Sequence, residues 1–273
     1  MGLVSWEQQI KHFTGANAST NGEEYTLLLF DNRGTGWSDT PSGLYTSQAM
    51  AYDTLALLDH LDWRSDVHVV GVSLGGMIIQ ELARVADLDR FSTFAFLSTT
   101  PGRVLFPWST MYLFLKLAFT QDLEAKFHLA NSLLFPSKWL EQPYQSSAVD
   151  PDYPPNRVRT NLDFVREGGR IRTPFARLQT FNGFLGQLSA CLRHSTSAAC
   201  LEPLSKHPRI RCLVLTGTDD RMVPPVDSLD LASHLAAPIL VFSGSGHVLP
   251  LEQASRLNLV LHKHFNGEET ASF

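Results

Sequence analysis

The sequence predicts an α/β protein, a mostly parallel sheet flanked by helices with a helical lid inserted into it. Short apolar, β-rich runs alternate with helical patterns along the chain. Most of these runs are apolar throughout, as expected of strands that helices cover on both faces. One long segment, residues 101–208, breaks this rhythm. These three observations together favour a single sheet interrupted by an insertion.

Strand and helix candidates follow from these patterns in chain order. The predicted strands are residues 25–31 (YTLLLFD), 67–72 (VHVVGV), 93–98 (TFAFLS), 210–217 (IRCLVLTG) and 238–243 (PILVFS). The predicted helices are residues 47–61, 76–86, 226–235 and 251–265. The first of these helices has a usable apolar face, which includes Met50 and Leu58. Because helical patterns lie between the strands, we expect crossover connections and parallel pairing.

The interrupted rhythm divides the chain into two parts. We expect a core formed by residues 1–100 and 209–273 and a lid formed by residues 101–208. Within the lid, prolines, aromatics and helical stretches such as 108–128 occur without a convincing strand. The tract YPPN near Tyr153 is typical of a loop.

A Gly-x-Ser-x-Gly motif carries the chemistry. Gly71, Ser73 and Gly75 follow a predicted strand directly and precede a predicted helix. Such a serine sits on a strained strand-to-helix turn, where its hydroxyl is held out at the carboxyl edge of the sheet. We expect both glycines of the motif to leave space for the strand and the helix to approach without Cβ clashes. The helix directs its positive end at developing negative charge. A glycine-rich turn in an unrelated protein is the alternative, which the strand and helix on either side disfavour.

A serine hydroxyl needs a base to remove its proton, and a histidine on another loop of the same edge would supply it. His247 follows the last predicted strand and precedes the last helix, so it is the candidate base. An acid after the preceding strand would fix the tautomer of that histidine. Asp219 and Asp220 both stand there, and spacing favours Asp220, with Asp219 as a turn or helix-capping acid.

The order Ser73, Asp220, His247 and the segment DNRGTGWS at residues 31–38 resemble the α/β-hydrolase superfamily, particularly its lidded hydrolases and esterases. The resemblance covers residues 2–101 and 210–265 and is weak in the lid. It implies that Asp31 and Arg33 are structural. A phosphate-binding loop is the alternative for the GTG tract, but the required lysine is absent.

The resemblance also implies what the chain lacks. The oxyanion hole of the family uses two backbone N–H groups, which would come from Leu74 and Leu3 here. Three strands that precede the Leu3 loop in the family are absent, and one of them lies between the strands at 25–31 and 67–72. Without it, those strands pair directly or leave buried polar groups unsatisfied, at about 1–3 kcal/mol each. We therefore expect a truncated gene model, a short isoform or a degraded paralogue; a compact variant is the alternative.

Two functions follow from these residues. The first is hydrolysis of an ester or related acyl bond in a small, hydrophobic substrate, with lid aromatics facing the apolar part of that substrate. These aromatics are Phe106, Trp108, Tyr112, Phe114, Phe119 and Trp139, and packing of the lid onto the body is their alternative role. The second function is a catalytically impaired or non-catalytic binding protein that keeps the fold. Lactone hydrolysis, peptide cleavage, perhydrolysis and C–C bond hydrolysis stay open under the first function.

Composition excludes other classes. A formal charge of −5 without long runs of either sign disfavours nucleic acid as a partner. Three cysteines without CxxC spacing indicate neither a disulfide framework nor a zinc cluster, and no metal or cofactor motif is present. No apolar stretch is long enough to span a bilayer, and the first residues do not form a secretory signal. We expect a cytoplasmic protein that acts on a small molecule; its oligomeric state stays open.

Overall fold

The computed structural model describes residues 6–14, 25–102, 108–145, 157–172 and 179–270, together with residues 174 and 177. Within these residues, one sheet contains β1 (Val67–Val72), β2 (Phe91–Leu97), β3 (Arg211–Gly217) and β4 (Ile239–Phe242). The strands are ordered β1-β2-β3-β4, and every pairing is parallel. The predicted fold class is confirmed, and the carboxyl ends of all four strands meet at one edge of the sheet.

The predicted strand at residues 25–31 is wrong. Residues 25–30 adopt no regular secondary structure, although Tyr25 and Leu27 pack against the same core as Val70 and Val72. A cavity lies between this segment and β1, and consecutive residues of both line it. A strand exists only where a neighbouring strand accepts its backbone hydrogen bonds, and in the described part of the chain no strand pairs with this segment. The apolar run was therefore insufficient to predict a strand.

Helices connect and cover the strands. They are α1 (Glu7–Thr14), α2 (Ser47–His60), α3 (Leu74–Val85), α4 (Trp108–Phe119), α5 (Leu123–Leu134), α6 (Ser137–Glu141), α7 (Asn161–Arg172), α8 (Phe181–Arg193), α9 (Ala198–Ser205), α10 (Pro225–Leu235), α11 (Leu249–Glu252) and α12 (Ala254–Asn266). The four predicted core helices are confirmed, but the last of them is two helices, α11 and α12. The helical stretch at 108–128 is also divided, because Asp122 caps α5 by accepting a hydrogen bond from Ala125 N.

Two apolar cores lie on opposite faces of the sheet. Phe94 and Phe96 of β2 pack with residues of α2, α3, α9 and α10 on one face. Ala95 and Leu97 of the same strand pack with residues of α1 and α12 on the other. The alternation follows from the two-residue period of a strand. It explains why β2 is apolar at almost every position, as expected for a strand that is covered on both faces.

Helices α4 to α9 fall within residues 101–208. In the described part of this range, strand pairing is limited to an isolated bridge between Pro143 and Thr160. Helix α8 contacts the loop that follows residue 30: Gly183 and Gly34 approach so closely that a Cβ on Gly34 would lie 2.9 Å from Gly183 Cα. Helix α9 packs against α3 and α10 of the body. The division into core and lid at residues 101 and 208 stays a prediction.

Of the lid aromatics, Trp108, Tyr112 and Phe119 are exposed, whereas Trp139 stacks on Phe135 at a centroid distance of 5.0 Å. Phe106 and the side chain of Phe114 lie outside the described residues, as does Tyr153. Among the helices that the structure describes, none has both the length and the apolar character that crossing a membrane requires.

Candidate active site

Ser73 lies on a strained turn between β1 and α3. Its backbone has φ 55° and ψ −118°, a combination that costs a non-glycine residue about 1–3 kcal/mol. Hydrogen bonds hold the turn on both sides. The Ser73 amide donates to Leu97 O at 2.9 Å, and the Ser73 carbonyl accepts from Thr99 Oγ1 at 2.8 Å and from Met77 N at 3.1 Å. The surrounding strand and helix therefore maintain the turn against its torsional cost.

Two glycines near Ser73 allow the elements around the turn to approach closely. A Cβ on Gly71 would lie 2.5 Å from Gly75 C, and a Cβ on Gly76 would lie 2.5 Å from the Thr99 side chain. A Cβ on Gly75, in contrast, would have no described atom within 4 Å. The expectation that both glycines of the motif make room for the turn therefore holds for Gly71 and is wrong for Gly75. Gly76, just outside the motif, provides the second close contact.

His247 lies in the loop between β4 and α11 and contacts Asp220. Its Nδ1 is 2.8 Å from Asp220 Oδ2 and 3.1 Å from Oδ1. Asp220 Oδ1 also accepts hydrogen bonds from Met222 N at 2.8 Å and Val223 N at 2.9 Å. Both residues are buried, with exposed fractions of 2% and 6%. An ionised carboxylate only accepts, so Nδ1 carries the proton and Nε2 is left as the acceptor.

Asp219 faces away from this pair. Its amide donates to Ser245 O at 2.9 Å, and its carboxylate accepts from Thr218 Oγ1 at 3.0 Å at an exposed position. The loops that follow β3 and β4 touch here, because a Cβ on Gly217 would collide with Ser245 O. This contact between loops brings Asp220, and not Asp219, to His247. The role of Asp220 as the third residue of the triad stays a prediction.

Two further groups hold the His247 loop, and sequence reasoning missed both. The His247 amide donates to Leu134 O of α5 at 2.9 Å. The carboxylate of Glu252 accepts from Gly246 N at 2.7 Å and from Val248 N at 3.2 Å. Burial raises the pKa of Glu252 to about 7, and the two backbone donors oppose that rise. The only available signal was an acid five positions after the histidine, which does not by itself indicate a contact.

Ser73 and His247 line the same cavity of about 1390 Å³. The residues that line the cavity are mostly apolar and include Met111, Leu134, Leu188, Leu192, Met222 and Val248. The cavity continues between residues 25–30 and β1. The site therefore has a hydroxyl and an imidazole in an apolar surrounding, the usual character of a small-molecule pocket.

The structure describes only one of the two predicted oxyanion-hole donors, and it describes both residues that were predicted to be structural. Leu74 is the first residue of α3 and lines the cavity, whereas Leu3 lies outside the described residues. In the loop at residues 31–38, Arg33 pairs with Asp53 through two hydrogen bonds of 2.6 and 2.5 Å. Asp31 Oδ2 accepts from Trp37 N at 3.1 Å. These contacts bind the loop to itself and to α2.

Comparison with known proteins adds the family. A family model described as alpha/beta hydrolase fold matches residues 1–254. 3-Oxoadipate enol-lactonase 2 of Acinetobacter baylyi is 24% identical over 267 residues, which are 97% of this chain and 85% of that protein. Two solved structures match at TM-scores of 0.69 and 0.68 and identities of 21% and 20%. They are the enol-lactonase of Burkholderia xenovorans LB400, covering 98% of this chain and 87% of that one, and an esterase of Thermogutta terrifontis, covering 98% and 86%.

At these identities, the two structures establish similarity of fold alone. The family model matches most of the residues, including all three predicted triad positions. The chain is a hydrolase that belongs to the alpha/beta hydrolase fold family.

Proposed function

We propose that the chain hydrolyses an ester or lactone bond of a small, mainly apolar substrate, with Ser73 as nucleophile, His247 as general base and Asp220 as the orienting acid. One observation carries the proposal: His247 is hydrogen-bonded to a buried carboxylate and lines the same cavity as Ser73. A nucleophile, a base and a group that orients the base are the three parts that such catalysis needs.

Each group has a distinct step. His247 Nε2 removes the proton from Ser73 Oγ, and the oxygen attacks the substrate carbonyl to give a tetrahedral oxyanion. The Leu74 N–H at the start of α3 stabilises that oxyanion. As the carbonyl re-forms, the alcohol leaves and takes the proton from His247. Water then attacks the acyl-enzyme with His247 again as base, which releases the acid and regenerates Ser73. Asp220 stays ionised throughout and stabilises the imidazolium.

Substrate class follows from the cavity wall. The described residues that line it are mostly apolar and suit a hydrophobic acyl or alcohol part. The similarity to an enol-lactonase supports including lactones beside open-chain esters. In a lactone the leaving alcohol stays attached to the acyl group, so the same chemistry serves both.

A fluorophosphonate probe and a series of p-nitrophenyl esters of increasing acyl length test the proposal. We expect labelling and hydrolysis by the wild type, loss of both in Ser73→Ala, and retention of both in Ser255→Ala, which changes an exposed serine of α12. Folding of all three proteins is checked by circular dichroism. Folded wild type that neither reacts with the probe nor hydrolyses any ester or lactone would favour the binding-protein alternative.

A further inference from the structure

Glu252 spans the backbone on both sides of His247. Its Oε2 accepts from the amide before the histidine, Gly246 N at 2.7 Å, and its Oε1 from the amide after it, Val248 N at 3.2 Å. The side chain comes from α11 and has an exposed fraction of 8%. A single carboxylate therefore holds both ends of the peptide segment that carries the imidazole.

Burying a carboxylate in this position costs free energy of folding, because the charged form loses its hydration. Burial disfavours its charged form, and Asp220 lies close enough to add to that effect. Two backbone hydrogen bonds and the nearby imidazole of His247 act in the opposite direction. Asp220 and His247 are the titratable groups that act on Glu252 in the described structure. The imidazole thus has two carboxylates near it, one in direct contact and one behind its backbone.

We propose that Glu252 is a positioning residue, which fixes the His247 loop by accepting hydrogen bonds from both amides that flank the histidine. This inference rests on the proposed function. A loop held at both ends keeps the imidazole in one geometry, and such preorganisation is what a base needs to act at a defined oxygen.

Glu252→Gln tests the positioning of the His247 loop separately from folding. Glutamine keeps the shape of the side chain, but its NH2 group would face one of the two N–H donors, so one hydrogen bond and the charge are lost. We expect kcat to fall roughly tenfold to a hundredfold with little change in KM.

Glu252→Asp keeps the charge and shortens the reach. In this variant we expect kcat to fall with little change in KM, because the shorter side chain cannot reach both amides, and it carries the test if Glu252→Gln does not fold. Glu268→Gln, at an exposed position, serves as the control that removes a charge elsewhere. All rates are measured on the ester that the wild type hydrolyses fastest.

The outcomes are distinct. An unchanged kcat in Glu252→Gln or in Glu252→Asp, or a loss that falls on KM and not on kcat, would overturn the inference. Activity that survives in Ser73→Ala would instead remove the proposed function on which it rests. Loss of activity in Ser73→Ala together with the expected profiles of both Glu252 variants would support it.

Discussion

Asp220 and His247 are 27 positions apart in the chain, yet Asp220 Oδ2 and His247 Nδ1 are separated by 2.8 Å. Asp219, next to Asp220, points its carboxylate to Thr218 and not to the histidine. The two neighbouring acids thus form a matched pair, in which the residue type is the same and only the contact differs.

We expect Asp220→Asn to lower kcat by about 10³–10⁴-fold, because an amide donor facing Nδ1 favours the wrong imidazole tautomer. Asp219→Asn should leave kcat close to that of the wild type. Steady-state hydrolysis of a p-nitrophenyl ester measures both, with thermal unfolding as the check on folding. Equal losses in the two variants would remove the special role of Asp220.

Gly71 and Gly75 form a second matched pair. Gly71→Ala should lower the free energy of unfolding by about 3 kcal/mol or more, because its Cβ would overlap the backbone of Gly75. Gly75→Ala should change stability by no more than about 1 kcal/mol, since its Cβ meets open space within a helix. Denaturant titration of both variants measures the difference. A destabilised Gly75→Ala would mean that the turn is tighter than the structure indicates.

His194 predicts a pH dependence of stability. Burial lowers its pKa to about 4, with Arg84 adding to the effect, and its Nδ1 lies 2.9 Å from Ser47 Oγ. The unfolded state takes up a proton near pH 6.5, whereas the folded state resists until about pH 4. The stability that neutral His194 contributes is therefore complete above pH 6.5 and is lost as the pH falls toward 4.

Replacing His194 should reduce the slope of the unfolding free energy against pH in this window by about 1.4 kcal/mol per pH unit. Glu252, with a raised pKa, contributes an opposite slope between its ordinary value and about 7. Comparing His194→Gln with the wild type cancels that contribution. His128→Gln, at an exposed histidine, is the control. Parallel curves for wild type and His194→Gln would show that His194 is not buried as a neutral group.

The edge of β1 predicts a pattern of amide exchange. Ser73 N donates toward β2, and the N–H groups of a strand alternate in direction. The amides of Val69 and Gly71 therefore face β2, whereas those of Val70 and Val72 face the cavity beside residues 25–30. We expect Val70 and Val72 to exchange with solvent deuterium faster than Val69 and Gly71, as measured by NMR. Equal protection of all four would reveal a hydrogen-bonding partner on the cavity side.

Local features of this protein were predictable from contiguous residues. The periodicity of the apolar positions predicted the four core helices, and continuous apolar runs predicted the strands β1 to β4. The turn at Ser73 was predictable as well, because Gly71, Ser73 and the flanking elements all lie within a short stretch of chain. Torsional preference and hydrophobic period act over a few residues, so they can be read without knowing what lies opposite in space.

Other features depended on contacts between distant residues. Residues 25–31 have the composition of a strand, but pairing requires a partner, and here a cavity separates them from β1. Asp220 contacts His247, and Glu252 accepts hydrogen bonds from the same loop, at the edge where the carboxyl ends of the strands meet. The sequence by itself determined the core helices, the strands β1 to β4 and the residue types that we propose for the chemistry. Tertiary structure decided which edges pair and which carboxylates reach the imidazole, because hydrogen bonds require atoms within about 3 Å, and only the folded chain sets those distances.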